Sequence, residues 1–391
     1  MNKGSRLKQQ VIQEVESRSS ELVDISHAIH RNPELAFQEV KACEWLTEYL
    51  GRNGFEIEQG FCQLPTAFKA TFGTGHPAIA FLAEYDALPD IGHACGHNII
   101  AAASVGAGVA TKKAAATLGG CIMVIGTPGE ELSGGKVIMV DRGGFDQVDA
   151  ALMVHPGARN VATYRSLACA SLEVEFFGKA SHASAHPDEG VNALEAMLLA
   201  FNNINSLRQH VKDWSRIHGI ITSGGSAPNI VPAYSKASFL VRSDRMDYLD
   251  VLKERVLDCF VGASVATGAK LKHSWGEVTY ASLRNNIVLA KLFLHHMESL
   301  GREVLLSVPE QSPASTDMGN VSQVTIGIHP TVAITSPGTS EHSPEFAAAA
   351  VSEVGDKALL DAAKALALTA VDLLANSTIM VEAKQEFLNT T

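Results

Sequence analysis

The stretch GHACGHN, residues 92–98, holds a cysteine and a histidine one residue apart between two glycines. It follows the apolar run AIAFLA at residues 78–83 and precedes a helical pattern over residues 99–118. At such a strand-to-helix turn the Cys95 thiolate and the His97 imidazole can face one point, and both groups bind zinc-like ions. Alone, the pair is more readily explained as a small buried cysteine and a histidine at a helix start. The rest of the chain decides between these interpretations.

Length and composition are typical of a two-domain globular protein. The chain has 391 residues, 46% hydrophobic and 19% charged, which is enough for a sizeable core. Its net charge of -11 argues against a nucleic-acid partner, because phosphate contacts need clustered Lys and Arg. Six scattered cysteines lack the spacing of a disulfide framework. Since no leader pattern and no run of about 18 apolar residues occurs, we expect a cytoplasmic protein without a membrane partner.

Short apolar runs separated by helical patterns predict an α/β fold, with a mainly parallel sheet and helices on both faces. The runs are residues 78–83, 121–125, 150–154 and 331–335. The helical patterns are residues 11–30, 38–53, 99–118, 286–300 and 357–374. In such sheets the ligand site lies beyond the carboxyl ends of the strands.

Side chains suited to metal binding or proton transfer follow each of these runs. They are Asp86, Cys95, His97, Glu130, Glu131, His155 and His342. Because the carboxyl ends of parallel strands meet at one edge of a sheet, we expect these side chains to converge. Each motif alone is typical of a solvated loop, but together they predict a metal centre.

The pattern changes between residues 171 and 280. Strands over 172–177, 218–222, 236–241 and 270–275, with helices over 189–211 and 248–266, follow the order of a ferredoxin-like domain. We therefore predict a catalytic domain formed by residues 1–170 and 281–391, with an inserted α+β lid and dimerisation domain at 171–280. A free sheet edge in the inserted domain would pair with its two-fold mate.

Eight blocks along nearly the whole chain carry a family resemblance. They are HRNPELAFQE at residues 30–39, DALP, GHACGHN, GTPGEE, VHPG, GKASHASAHP, GGSAPNIVP and EHSPEF. With them the chain resembles the two-metal aminoacylase and carboxypeptidase family of metallopeptidases. It looks like the amidohydrolase branch, which includes hippurate, auxin-conjugate and p-aminobenzoyl-glutamate hydrolases. Asn98 and STDMGNVS at residues 315–322 look most like the last of these. The resemblance implies an enzyme that cleaves the amide bond of a small N-acyl amino acid or dipeptide.

The resemblance also implies roles for individual residues. It assigns two divalent ions to the ligands Cys95, His97, Glu131, His155 and His342. It assigns general-base catalysis to Glu130, support of the metal site to Asp86, and a contact across a homodimer to His182. It assigns substrate contacts to Asn229, Arg242 and Gly338. Thiolate and imidazole favour zinc, while the carboxylates also suit manganese, cobalt or nickel.

This chemistry is consistent with general mechanism. Amide hydrolysis at neutral pH needs a hydroxide, and metal binding lowers the pKa of water from 15.7 to about 7. Glu130, beside the ligand Glu131, is suited to take the proton of the water and pass it to the leaving amine. An N–H of His182 is suited to stabilise the oxyanion.

Three alternatives remain open. In a cysteine hydrolase Cys95 would be the nucleophile and His97 its base, but side chains one residue apart rarely reach hydrogen-bonding geometry. A catalytically silent binding or regulatory protein on the same fold would be expected to lack a ligand, and none is missing. A different small-amide hydrolase, such as an aryl-amine deaminating enzyme, shares the same predicted centre.

Overall fold

The computed structural model describes residues 3–131, 133–308 and 314–389. Its helices are α1 (Lys3–Ser17), α2 (Ser19–Arg31), α3 (Val40–Arg52), α4 (His97–Leu118), α5 (Gly135–Asp141), α6 (Ala193–Arg208), α7 (Met246–Thr267), α8 (Ile287–Ser299), α9 (Met318–Val324), α10 (Pro344–Ala349), α11 (Glu353–Ala375) and α12 (Ser377–Asn389). Its strands are β1 (Glu56–Gln59), β2 (Phe68–Thr74), β3 (Ala78–Ala83), β4 (Gly120–Gly126), β5 (Ala150–Leu152), β6 (His155–Gly157), β7 (Ala168–Phe177), β8 (Arg216–Ser223), β9 (Tyr234–Ser243), β10 (Lys270–Tyr280), β11 (Ile326–Ile328) and β12 (Thr331–Ala333).

The chain forms two compact units. Among the described residues, the first unit comprises 3–165, 283–308 and 320–389, and the second comprises 166–282 and 314–319. The predicted domains divide the chain after residues 170 and 280, whereas the units divide it after 165 and 282. Segment 314–319 belongs to the second unit, where the Leu167 N–H donates to the Ala314 carbonyl at 2.7 Å. Such a return of the chain leaves no periodic signal in the sequence.

The first unit contains a six-stranded sheet in the order β1-β2-β4-β3-β5-β11. Strands β4, β3, β5 and β11 are parallel, which confirms the predicted α/β fold with a mainly parallel sheet. All residues of β3 and β4 are buried, so both strands are continuous apolar runs in the sequence. The antiparallel strands β1, at the edge of the sheet, and β2, between β1 and β4, were not predicted. β1 is polar and largely exposed, so it has no apolar run to detect.

Helix α4 forms the centre of the first unit. It packs on β3 and β4, and α11 packs on it. Although α4 is long and apolar enough to cross a membrane, 83% of its most apolar window is buried inside the protein, as in a core helix. The α4 pattern is apolar on nearly all sides because both the sheet and other helices cover it.

The N-terminal helical pattern corresponds to two helices rather than one. Prediction placed a single helix over residues 11–30, but α1 and α2 are separated at Arg18, whose backbone leaves the helical region at φ -106° and ψ 8°. The Arg18 guanidinium pairs with Glu14 and Glu21, one on each helix. The apolar period continues across this break, which explains why the pattern alone concealed it.

The second unit is the predicted ferredoxin-like domain. Its antiparallel sheet has the order β10-β7-β9-β8, and α6 and α7 supply the helical layer. Burial alternates along β7 and β9, so one face of the sheet packs on the helices. Edge strand β8 leaves Ile220 66% exposed and Ile221 37% exposed.

Candidate metal centre

The candidate ligands lie where the parallel strands of the first unit end. Ala83 is paired with Gly126 and Phe81 with Leu152, so β3, β4 and β5 end side by side. Asp86 follows β3, Glu130 and Glu131 follow β4, and His155 follows β5. The structure therefore brings these side chains to one edge of the sheet.

Gly96 allows Cys95 and His97 to face the same point. It stands immediately before α4 with φ 77°, a left-handed conformation that glycine adopts without a steric cost. A Cβ at this position would lie 2.8 Å from the Cγ of Pro156, the residue after His155. Any larger residue would therefore push the Cys95–His97 turn away from the His155 segment.

Three sets of potential metal donors share side chains. The sets are Cys95, His97 and His155; Cys95, Glu131 and His342; and His97, Glu130 and Glu131, each with its donor atoms within 4.8 Å of one another. The Cys95 Sγ lies 3.5 Å from the His155 Nε2, and the His342 Nε2 lies 3.4 Å from the Glu131 Oε1. Cys95, His97 and Glu131 each belong to two of the sets, so the three sets form one connected cluster of donors.

Asp86 orients two of these donors. One of its oxygens accepts from the His97 Nδ1 at 2.9 Å, and the other accepts from the Glu131 N–H at 2.9 Å. The Nδ1 of His155 lies 2.6 Å from the Pro156 carbonyl oxygen. In both histidines Nδ1 is thereby used as a donor, which leaves Nε2 to bind an ion.

His342 has an unusual backbone conformation. Its φ is 61°, and its N–H donates to the Ala94 carbonyl at 3.0 Å, which ties it to the GHACGHN turn. Four alanines, residues 347–350, follow the EHSPEF block. Here the Ala347 carbonyl oxygen lies 2.9 Å from the His30 Nε2, so the alanine segment is held by its backbone.

The pKa shifts at the centre follow from burial and opposite charges. Burial alone would raise the pKa of Asp86 and lower that of His97, but their mutual attraction and hydrogen bond outweigh it. The pKa of Asp86 is therefore lowered, and that of His97 is raised well above its usual value. Burial raises the pKa of the Cys95 thiol far above 9. Binding a cation would remove that proton, because only the thiolate is a ligand.

The buried metal-donor atoms that have no hydrogen-bond partner among the described residues include two that lie 4.0 Å apart. They are the His97 Nε2 and the Glu131 Oε1. Buried polar atoms are nearly always satisfied in proteins, and an unsatisfied one costs about 1–3 kcal/mol. A divalent cation would satisfy both, so the residues present fit a metal.

The predicted substrate residues lie in different parts of the fold. Gly338, at φ 108°, lines a cleft of about 290 Å³ in the first unit together with Gly157 and Glu341. These neighbours adjoin the predicted ligands His155 and His342 in the chain. The lining of this cleft is therefore close in the chain to two candidate ligands, and the substrate contact of Gly338 stays a prediction.

His182, Asn229 and Arg242 lie in the second unit. His182 and Asn229 are neighbours, since the Ala183 N–H donates to the Asn229 carbonyl at 3.0 Å. The Nδ1 of His182 accepts from the N–H groups of Ser184 at 3.4 Å and Ala185 at 3.2 Å. The ring proton is thus on Nε2, which is exposed. Arg242 is half-buried on β9, and its Nη1 donates to the Ser315 Oγ at 3.1 Å.

Three buried polar residues at or near the centre were missed by sequence analysis. Glu84 lies 3.5 Å from His97, and the ring of His329 is centred 5.4 Å from that of His155. Glu39 accepts from the Gly129 N–H at 2.9 Å, and burial raises its pKa to about 7. Glu84 stands two residues before Asp86, and His329 directly follows β11. A search for polar residues at strand ends would have found both, whereas Glu39 precedes a helix and gives no such signal.

The comparisons with known proteins agree with this architecture. A model of the peptidase dimerisation domain of M20 enzymes matches residues 168–262. The Xaa-Arg dipeptidase of Mus musculus is 37% identical, over 97% of this chain and 92% of its own. One subunit of the p-aminobenzoyl-glutamate hydrolase of Escherichia coli is 31% identical, over 95% and 93%. A Bacillus subtilis structure described as a dinuclear metal binding peptidase of the M20 family is 21% identical, with a TM-score of 0.72 over 92% and 99%.

A thiol, imidazoles and carboxylates at the carboxyl edge of a parallel sheet, with an inserted ferredoxin-like unit, define a metallohydrolase. Both of these curated relatives are more than 30% identical and cover nearly all of the chain. The chain belongs to the M20 family of peptidases. The resemblance stated from the motifs is confirmed.

Asp86→Asn should weaken cation binding about ten- to a hundred-fold, the usual effect of losing such a supporting group. Both partners of Asp86 are donors, and an asparagine has only one acceptor oxygen. The NH₂ group of the asparagine would face either the Glu131 N–H or the His97 Nδ1–H, and two donors cannot form a hydrogen bond. If it faces His97, the ring proton would move from Nδ1 to Nε2, the nitrogen proposed to bind the ion. Zinc titration of the purified protein measures the effect. Asp90→Asn, an exposed change four residues on, is the control, and equal affinity of both variants would contradict the role of Asp86.

Proposed function

We propose that this chain hydrolyses the amide bond of a small dipeptide or N-acyl amino acid, using two divalent cations. The observation that carries the proposal is the convergence of five candidate ligands at one edge of the sheet. They are Cys95, His97, Glu131, His155 and His342. The names of the two relatives, a dipeptidase and an aminobenzoyl-glutamate hydrolase, support the same class of reaction.

The balance of charges supports two cations. Five groups at or beside the centre can be negative, and one positive group is paired with them. They are the carboxylates of Glu84, Asp86, Glu130 and Glu131, the thiol of Cys95, and the ammonium of Lys136. When the thiol is deprotonated, these six groups have a net charge of about -4. Two divalent cations would neutralise that charge. Buried charge of one sign is costly unless it is paired.

Cys95, His97 and His155 would hold one ion, and Cys95, Glu131 and His342 the other. Bound there, the cations would supply Lewis acidity, which polarises a carbonyl and makes water a nucleophile at neutral pH. Zinc is our first choice because sulfur and nitrogen predominate, and manganese, cobalt and nickel are the alternatives.

Glu130 is proposed to move the proton. It stands next to Glu131, and its carboxylate lies within 4.8 Å of donor atoms of His97 and Glu131. Asp86 fixes the Glu131 backbone, so the position of Glu130 is set from the neighbouring residue. From there the Glu130 carboxylate takes a proton from the attacking water and returns it to the nitrogen of the leaving amine.

We also propose a homodimer in which the second unit supplies His182 to the partner's centre. Arg242 lies opposite Cys169, whereas His182 lies beyond Phe177, at the other end of β7. From Cys169 to Phe177 a strand rises about 26 Å at about 3.3 Å per residue. Pairing continues past Phe177, since Ser181 accepts from the Val231 N–H at 3.0 Å, so the His182 segment does not fold back. One small substrate therefore cannot touch both side chains of a single chain.

The edge strand β8 supports the same assembly. Ile220 and Ile221 are exposed on it, and an exposed apolar edge is a template for pairing with another strand. Pairing with its two-fold mate would cover both residues. We further propose a reducing, cytoplasmic location, because all six cysteines are free and Cys95 binds a cation only as a reduced thiolate.

Cation-free protein should be inactive and should regain activity when zinc, manganese or cobalt is added, with two ions bound per chain. A panel of Xaa-Arg dipeptides, β-alanyl dipeptides, p-aminobenzoyl-glutamate and N-acyl amino acids, with amine release as the readout, identifies the substrate. Less than one ion per chain would overturn the proposal. Two bound ions without turnover of any substrate would favour a silent binding protein, and release of ammonia would favour a deaminating enzyme.

Glu130→Gln should retain both ions and lose turnover by about 10²- to 10⁴-fold, because its carboxylate acts on a proton. Glu131→Gln should weaken ion binding as well, because its oxygen is proposed to bind an ion. The two variants are matched controls for each other, since each replaces one carboxylate by an amide at adjacent positions of the chain. Ion content and kcat should be measured on both, and equal loss of ions would show that the two roles are wrongly assigned.

His182→Ala should remain folded, dimeric and loaded with ions but be nearly inactive. A mixed dimer of His182→Ala with Glu130→Gln should regain activity, because one of its two centres then has both Glu130 and His182. The variants can be co-expressed with different tags, and the mixed dimer isolated for turnover measurements. A mixed dimer no more active than its parents would place His182 outside the partner's centre.

A further inference from the structure

Glu84 is a fully buried carboxylate that no ligand assignment uses. It directly follows β3, and its Oε1 accepts from the Nζ of Lys136 at 2.5 Å. Both residues are 0% exposed. A buried ion pair of this kind costs desolvation and is weak support for stability by itself. Stability alone therefore does not explain why this ion pair lies beside the centre.

The second oxygen of Glu84 faces the centre. Its Oε2 has no hydrogen-bond partner among the described residues and lies 3.5 Å from the His97 Nε2, which also has none. Since the His97 Nδ1 donates to Asp86, the neutral ring has a lone pair on Nε2. In this neutral form, which is the form that binds a cation, two buried lone-pair atoms face each other 3.5 Å apart and repel. A cation beside both atoms removes the repulsion and satisfies both.

We propose that Glu84 is a further metal-binding residue, whose Oε2 contributes to the ion held by Cys95, His97 and His155. This inference rests on the proposed function, because it assumes that an ion binds there. The carboxylate adds an oxygen donor to a sulfur and two nitrogens, which widens the choice of metal toward manganese and cobalt. Lys136 donates a hydrogen bond to the Oε1 of Glu84. It therefore orients the carboxylate and partly neutralises its negative charge.

The competing explanation is that Glu84 only neutralises Lys136. The double variant Glu84→Gln/Lys136→Met separates the two, because it removes the pair without changing the net charge. Arg302→Met/Asp361→Asn is the matched control. It removes another largely buried pair, joined at 2.8 Å, whose residues are not among the candidate ligands.

Zinc affinity should be measured by competition with a chromophoric chelator, and the visible spectrum of the cobalt-loaded protein recorded. The double variant at Glu84 and Lys136 should stay folded by circular dichroism, bind one ion about ten- to a hundred-fold more weakly, and show a changed cobalt spectrum. Lys136→Met alone should bind the ion at least as tightly as the wild type, since it leaves the carboxylate fully charged. The control pair should alter thermal stability but neither affinity nor spectrum.

Wild-type affinity and cobalt spectrum in the Glu84→Gln/Lys136→Met protein would overturn the inference and leave the proposed function intact. Weaker ion binding in Lys136→Met than in the double variant would also overturn the inference. The Glu84 carboxylate would then act only as the counter-charge of Lys136 and not as a ligand. If the wild-type protein binds no cation, the proposed function and the inference fail together.

Discussion

Both oxygens of Asp86 accept hydrogen bonds in the interior, and the geometry of the candidate centre depends on these two bonds. One holds His97 at the start of α4, and the other holds the backbone of Glu131 after β4. Asp86 itself follows β3, so a single carboxylate joins three segments of the first unit. It is 1% exposed, and its burial is tolerated because the charge and hydrogen bond of His97 compensate for the lost water.

The candidate ligands His97 and His155 have hydrogen-bond partners on the ring nitrogens that face away from the centre, and within the described ranges His97 has none on the nitrogen that faces it. Asp86 and the Pro156 carbonyl take up the Nδ1 atoms of His97 and His155, and the inner His97 Nε2 has no partner in the described part of the chain. Each such orphaned atom costs about 1–3 kcal/mol in the cation-free chain. Ion binding returns that free energy, so the stability of the first unit is coupled to its ions.

The sheet of the second unit holds two predicted functional side chains far apart. Its central strands β7 and β9 place Arg242 near one end and His182 beyond the other. In the proposed homodimer this domain would serve two centres, because Arg242 and His182 are too far apart for a single small substrate to contact both. In that dimer the two copies would pair along the exposed edge strand β8.

The sequence by itself determined the continuous apolar strands β3 and β4, the ferredoxin-like order of the second unit, and the candidate ligands from Cys95 to His342. These follow from local periodicity and from residue chemistry at strand ends, which are properties of the chain. Tertiary structure alone decided the polar edge strand β1, the break at Arg18, and the places of Glu84, Glu39 and His329. In the sequence a buried carboxylate or imidazole resembles any other polar residue until the fold shows what surrounds it, because burial and partners are set by contacts distant in sequence.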